Sequence, residues 1–204
     1  MWEQLKRVTK PNGAIVLFGS QPFTSVVICS NLSEFKYQWV WNKRFAANFA
    51  LAKHQPLKIH EDIIVFGNGK GRCTYYPQKT VRESPIKLGK NVSKTGSANL
   101  ANAREAYNNK VYEDKNPESI VFYNTRAEGQ VKHHPTQKPV GLMEYLVKTY
   151  SGEGETVLDF TAGSFTTGVA CVNLNRKGIM IEKDPHYFEV GSERVKRALS
   201  EKGD

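Results

Sequence analysis

The run Thr156-Val157-Leu158-Asp159-Phe160-Thr161-Ala162-Gly163-Ser164-Phe165-Thr166-Thr167-Gly168 reads as a strand, a small-residue loop and the start of a helix. Four residues of strand character end in an acid. The loop behind them is small enough for a ligand to lie against bare backbone amides at the helix N-terminus. About twenty residues on, a second strand over Gly178–Ile181 ends in Glu182. An acid in that position is placed to accept hydrogen bonds from ribose hydroxyls. Asp159 at the first strand's carboxyl end suits a cationic amino group. Together they describe a nucleoside cofactor with an amino-acid tail, S-adenosylmethionine (SAM) rather than a dinucleotide. The plainer alternative is a tight β–α connection with no ligand. Asp184, with Pro185 behind it, reads as an ordinary helix N-cap.

Outward from this stretch, Thr166–Asn173 and Pro185–Leu199 read as helices. Upstream, Pro139–Tyr150 is a helix with Leu142, Met143, Leu146, Val147 and Tyr150 on one face. Near the start, residues 1–9 have helical spacing and Pro11-Asn12-Gly13 ends them. Ala14–Phe18 is a continuous apolar run, expected as a buried parallel strand. Thr24–Leu32 suits a helix, and Tyr37–Trp41, Asp62–Phe66 and Ile120–Tyr123 suit strands. This alternation implies an α/β fold with a doubly wound, Rossmann-like sheet. Three zones follow: 1–66, 67–118 and 119–204. The middle zone is poor in large aliphatics and reads as a loop-rich insertion.

With 204 residues and 39% hydrophobic residues, the chain is long and apolar enough for a real core. No run approaches the ~20 apolar residues of a membrane span, and the start lacks a signal-peptide core. Cys29, Cys73 and Cys171 show no metal spacing, so free thiols in the cytoplasm are expected. His133-His134 has no Cys or acid at ligand spacing, so no metal is expected. The net charge is +9. Lys70, Arg72, Lys79, Arg82, Lys87, Lys90 and Lys94 face the single acid Glu83 in one window of the insertion. This window is the candidate DNA contact, with phosphate contacts giving affinity without sequence choice. Tyr75 and Tyr76 beside it suit either base stacking or local packing.

The run His134-Pro135-Thr136-Gln137-Lys138-Pro139, then Val157-Leu158-Asp159-Phe160 with Gly163-Ser164, then Ile181-Glu182-Lys183-Asp184 with Tyr187-Phe188, resembles the β-class of DNA N6-adenine and N4-cytosine methyltransferases. The resemblance covers essentially the whole chain, including Lys10-Pro11-Asn12-Gly13, Phe18-Gly19-Ser20-Gln21-Pro22-Phe23 and Pro56-Leu57-Lys58-Ile59-His60-Glu61. It implies a methyltransferase sheet with the SAM motif in its C-terminal part. It implies cofactor contacts from Thr136, Gln137, Lys138, Asp159, Phe160, Gly163, Ser164, Thr166 and Glu182, with Lys138 pairing the methionine carboxylate. It places target recognition in residues 67–118, His60-Glu61 near the target base, and double-stranded DNA as the partner. Methyl transfer to an exocyclic amino group follows, adenine N6 favoured.

Two departures stand out. The family's catalytic tetrapeptide is Asp, Asn or Ser, then Pro-Pro, then an aromatic, and this chain contains no Pro-Pro. In the family it lies on a core strand just ahead of the first helix here, so the sheet is expected to be incomplete at the N-terminus and no catalytic residue is assigned. A neighbouring, complementing chain, a separate gene product or an upstream start codon is the expected source of the missing strand, and a homodimer is expected to cover the open sheet edge. A catalytically inactive relative that binds SAM, DNA or a partner is the alternative. Second, Phe165 stands where the family usually has glycine. It either points away from the cofactor or crowds it, with Ala162 expected to make room.

Overall fold

Ile63, Ile64, Val65 and Phe66 are wholly buried, and their alternation organises the chain. Successive side chains of a strand point to opposite faces. Ile63 and Val65 therefore face one helical layer, Ile64 and Phe66 the other. The computed structural model describes residues 1–69, 71–87, 111–125 and 132–203. Met1–Tyr76 and Glu118–Asp204 form one compact unit, and Pro77–Pro117 a second.

In the first unit, α1 (Trp2–Val8) leads to β1 (Ala14–Gly19), α2 (Phe23–Ser30), β2 (Phe35–Ala47), β3 (Lys58–Gly67) and β6 (Ile120–Phe122). The strands order β1-β3-β2-β6. The buried run expected as a parallel strand at Ala14–Phe18 is instead antiparallel to β3, from Ala14 opposite Gly67 to Gly19 opposite Asp62. A continuous apolar run reports burial on both faces, not strand direction. β2 is also antiparallel to β3, and β6 is parallel to β2. Thus β1 and β2 run the same way. Leu5 of α1 and Val27 of α2 pack with Ile15, Ile64 and Phe66 on one face.

On the other face lies α3 (Val140–Tyr150). Its Leu142 and Leu146 pack with Trp39, Trp41, Ile63, Val65 and Val121. Each such aliphatic side chain stabilises by roughly 1.5–3 kcal/mol when fully buried. The indole of Trp39 donates to Tyr150 Oη at 2.7 Å, and Tyr150 donates to Tyr37 Oη at 3.2 Å, so the polar atoms under α3 are satisfied. Tyr75 packs edge-on against Tyr37, which is the packing alternative.

α3 also belongs to the second half. Its Val147 packs with Ala170 and Cys171 of α4 (Thr166–Asn173). β7 (Thr156–Asp159) and β8 (Lys177–Met180) form a parallel pair, and α5 (Pro185–Gly203) follows. Gly178 faces Cys171: a Cβ there would meet its Cβ at 3.5 Å.

Among the described residues β1 pairs only with β3, and β7 only with β8. The chain segments ahead of these two strands nevertheless meet. Lys10 Nζ, ahead of β1, meets Glu155 Oε1, ahead of β7, at 3.2 Å. Their carboxyl ends are joined by the 132–139 loop. The described strands of this unit thus form two sheets, with β1 at an edge of one and β7 in the other.

In the second unit the described residues hold one antiparallel strand pair. β4 (Thr80–Lys87) and β5 (Val111–Lys115) pair antiparallel with a register shift between Val81 and Ile86. Residues 67–118 are thus not wholly loop. No described helix is long and apolar enough to cross a membrane.

Candidate functional site at the carboxyl ends of β1 and β7

Asp159 closes β7 and is held from two sides. Its Oδ2 accepts from Thr167 Oγ1 at 2.5 Å, and its Oδ1 from the Thr161 amide at 3.1 Å. A carboxylate offers about four acceptor positions. Asp159 spends two of them inside the protein. Phe160 beside it is exposed.

Gly163 stands at φ 52, the left-handed region that glycine enters without steric penalty. Its amide donates to Glu182 Oε2 at 2.7 Å, while Glu182 Oε1 accepts from the Lys183 and Asp184 amides at 2.8 and 2.9 Å. The Asp184 amide, against the opposing effect of burial and joined by the Gly163 and Lys183 amides, holds the Glu182 carboxyl below its ordinary pKa. Glu182 therefore ties the loop after β7 to the end of β8. Asp184 acts as a helix cap: its Oδ1 accepts from the His186 and Tyr187 amides at 2.9 and 3.2 Å.

Phe165 also adopts the left-handed conformation, at φ 56, which is uncommon for a side chain of its size. Its ring is only 5% exposed and lies against α5. It meets Phe188 edge-on at 5.6 Å and covers Gly191, where an added Cβ would sit 2.4 Å from Phe165 Cγ. The ring thus points away from the loop's open side. Room for it comes from Gly191.

Arg194, one turn further along α5, was not foreseen. Its Nη1 donates to the Ser164 carbonyl, to Ser164 Oγ at 2.9 Å and to Thr166 Oγ1 at 3.2 Å. Burial, with Arg197 nearby, lowers the Arg194 pKa. Nothing in the sequence separates this arginine from its basic helical neighbours. Thr166 and Ser164 are both buried, and their side chains face α5 and the 132–139 loop.

The 132–139 loop brings in the rest of the expected set. Gln137 Oε1 accepts from Ser164 Oγ at 3.0 Å and from the His133 amide at 2.9 Å. His134 packs edge-on to Tyr187 at 4.2 Å and lies over Gly163. Its Nδ1 accepts the Thr136 amide at 3.2 Å. Thr136 is exposed. Lys138 reaches the four-stranded sheet: its Nζ lies 3.4 Å from Glu61 Oε2, 4.9 Å from the Phe18 ring centre and 5.8 Å from that of Trp41. Lys43 pairs with the same Glu61. Burial disfavours charge on Glu61, yet Lys43 and Lys138 together hold its pKa below the ordinary value. The sequence-expected partner of Lys138 was a ligand carboxylate; here a protein carboxylate occupies it. The Glu61 pairing spans 77 positions of sequence and had no local signal.

Thr136, Gln137, Lys138, Asp159, Phe160, Gly163, Ser164, Thr166 and Glu182 thus gather around the loop after β7 and its facing 132–139 loop. The basic window is less united. Arg72 is exposed in the first unit. In the second unit Lys79 pairs with Asp114 at 2.7 Å, and Arg82 Nε donates to the Asp114 carbonyl at 2.8 Å. Lys87 ends β4; Lys70, Lys90 and Lys94 lie outside the described residues.

A model of the N6/N4 methylases, described as DNA methylase, matches residues 1–193. The chain belongs to this family. The chain is 29% identical over 196 residues to the type II methyltransferase M.HpaI of Haemophilus parainfluenzae, covering 95% of this chain and 56% of that protein. It is 25% identical to the DNA adenine methyltransferase YhdJ of Escherichia coli K12, covering 93% of this chain and 62% of YhdJ. The chain therefore spans little more than half the length of these relatives. Its fold matches the crystal structure of the M1.HpyAVI–SAM complex with a TM-score of 0.67 at 21% identity, covering 94% of this chain and 78% of the other.

Proposed function

We propose that this chain binds SAM on the loop after β7 and takes part in methylating an exocyclic amino group of a DNA base, adenine N6 favoured. The observation that carries the reading is the preorganised loop itself. Gly163, Ser164 and Thr166 are fixed by Glu182, Gln137 and Arg194, beside an acid at each strand end. The donor set suits the cofactor. Asp159 retains acceptor positions for an ammonium, Glu182 retains one for a ribose hydroxyl, and exposed Phe160 offers an apolar surface to a base. Lys138 would exchange Glu61 for the methionine carboxylate, or hold both.

Bound SAM would supply an electrophilic methyl on a sulfonium; its S–CH3 bond would break to leave the thioether as the amino nitrogen takes the methyl and releases a proton to solvent. Orientation and electrostatics carry such a transfer. The target base must leave the duplex, which costs a few kcal/mol. Beside the unpaired edges of β1 and β7 we place a strand bearing the Asp/Asn/Ser-Pro-Pro-aromatic motif, supplied from outside residues 1–204 by a neighbouring chain, a separate gene product or residues encoded upstream. Its edge donors and acceptors would satisfy both open strands. The reading of an inactive SAM-binding relative draws on the same open edges.

Labelled methyl transfer from SAM to unmethylated DNA, with and without a strand peptide carrying the tetrapeptide, tests the reading. Transfer that depends on the peptide is expected. SAM binding with no transfer under either condition favours the inactive relative.

A further inference from the structure

We propose that residues 42–60, the end of β2, the β2–β3 loop and the start of β3, are a second DNA contact that grips the duplex beside the target base. The proposal rests on the DNA-methylation reading and adds a surface to it. Two independent features carry it.

The first is charge. Residues 42–60 contain Lys43, Arg44, Lys53 and Lys58 and no Asp or Glu. Lys43 is spent on Glu61, and Lys58 donates to Ser20 Oγ. Arg44 and Lys53 have no ion-pair partner among the described residues, and both are exposed. A duplex carries one phosphate charge per roughly 1.7 Å of axis, and cations without internal partners are the groups it recruits.

The second is an apolar tip between those cations. Asn48 stands at φ 64 and turns the chain into a 3₁₀ turn, Phe49–Leu51. Phe49 is 67% exposed, and Leu51 beside it is also exposed. Ala47, Ala50 and Ala52 around them leave nothing to cover the ring. Arg44 lies 5.7 Å from the ring centre of Phe122, itself exposed, so a flat cationic and aromatic surface continues onto β6. A phenylalanine held out on a tight turn between lysine and arginine suits a base stack, where aromatic contacts accept any sequence. Proteins that deform a duplex commonly insert such apolar side chains between base steps.

Position completes the argument. β2 runs parallel to the direction of β1, so this loop leaves the sheet at the same edge as Gly19. At its root Trp41 lies under Lys138, and the loop carrying Lys138 holds Ser164 through Gln137. The basic tip and the proposed SAM loop therefore belong to one edge of one compact unit.

The test is binding of fluorescent 30-base-pair duplexes, one intact and one with a central abasic site, across a salt series. Arg44→Gln with Lys53→Gln should lower the slope of log affinity against log salt by about 1.8, two phosphates at about 0.9 each. Phe49→Ala should leave that slope unchanged and weaken binding to the abasic duplex roughly tenfold, the size of one lost stacking contact. SAM titration should be the same for all variants, and circular dichroism should show them folded. Unchanged slope and affinity in these variants, with the wild-type chain binding DNA, would overturn the surface and leave the DNA reading standing. Absence of DNA binding by the wild-type chain would overturn both.

Discussion

Replacing Gly191 by alanine should destabilise this protein through Phe165, and removing the Phe165 ring should cancel most of that effect. The added Cβ would sit 2.4, 2.6 and 2.9 Å from Cγ, Cδ1 and Cδ2 of the ring. Carbon atoms prefer about 3.5–4.0 Å, so ring or helix must move by roughly 1 Å. Overpacking of this kind costs about 1–3 kcal/mol, offset by the roughly 0.5–1 kcal/mol that alanine gains over glycine inside a helix. Phe165→Gly alone loses a buried aromatic, about 3–5 kcal/mol, and recovers about 1 kcal/mol because glycine accepts φ 56. In the double variant the new methyl enters space vacated by the ring. Its cost should vanish, leaving a favourable coupling of about 1–3 kcal/mol by urea unfolding. SAM affinity should fall with Gly191→Ala and return with the double variant, because displacing Phe165 would carry its chain neighbours Ser164 and Thr166 with it. Strictly additive losses, or SAM affinity indifferent to Gly191→Ala, would refute the reasoning that α5 holds the loop through this ring.

Arg194→Met keeps the stem but deprives the Ser164 carbonyl and Thr166 of their donor; hydrogen bonds to charged groups contribute about 1.5–3 kcal/mol, so a loss of that order by denaturant unfolding, with weaker SAM binding, is expected. Glu182 has a folded pKa below its unfolded value. Its contribution is therefore present above the unfolded pKa of about 4.3 and is lost as pH falls through the folded value. Thermal unfolding of wild type and Glu182→Gln across pH 2–6 should show the difference between them shrinking toward acid. Glu61→Gln should free Lys138 and tighten the binding of SAM relative to decarboxylated SAM, read by parallel titrations.

Much of this was legible in the sequence because the decisive signals are local. The strand at Thr156–Asp159 and the helix at Thr166–Asn173 stand where their apolar runs and small-residue loop put them. Asp184 caps α5 as the Asp-Pro pair implied. What escaped was nonlocal or chemically bland. The direction of β1 depends on β3, over forty residues away, and burial alone carries no direction. β4 contains Arg82, Glu83 and Pro85, so no apolar alternation betrayed it as a strand. The orientation of Phe165 depends on a positive φ and on a glycine 26 residues later. Lys138 found Glu61 only because the fold brings the ends of β3 and the 132–139 loop together.

The most direct test of the central claim is calorimetric titration of the purified chain with SAM, run in parallel on Asp159→Ala. The account predicts a single site for the wild-type chain and its loss, or a large weakening, in the variant, with the fold retained by circular dichroism. No binding by the wild-type chain at millimolar SAM, or equal binding by both proteins, would contradict a cofactor site at the end of β7.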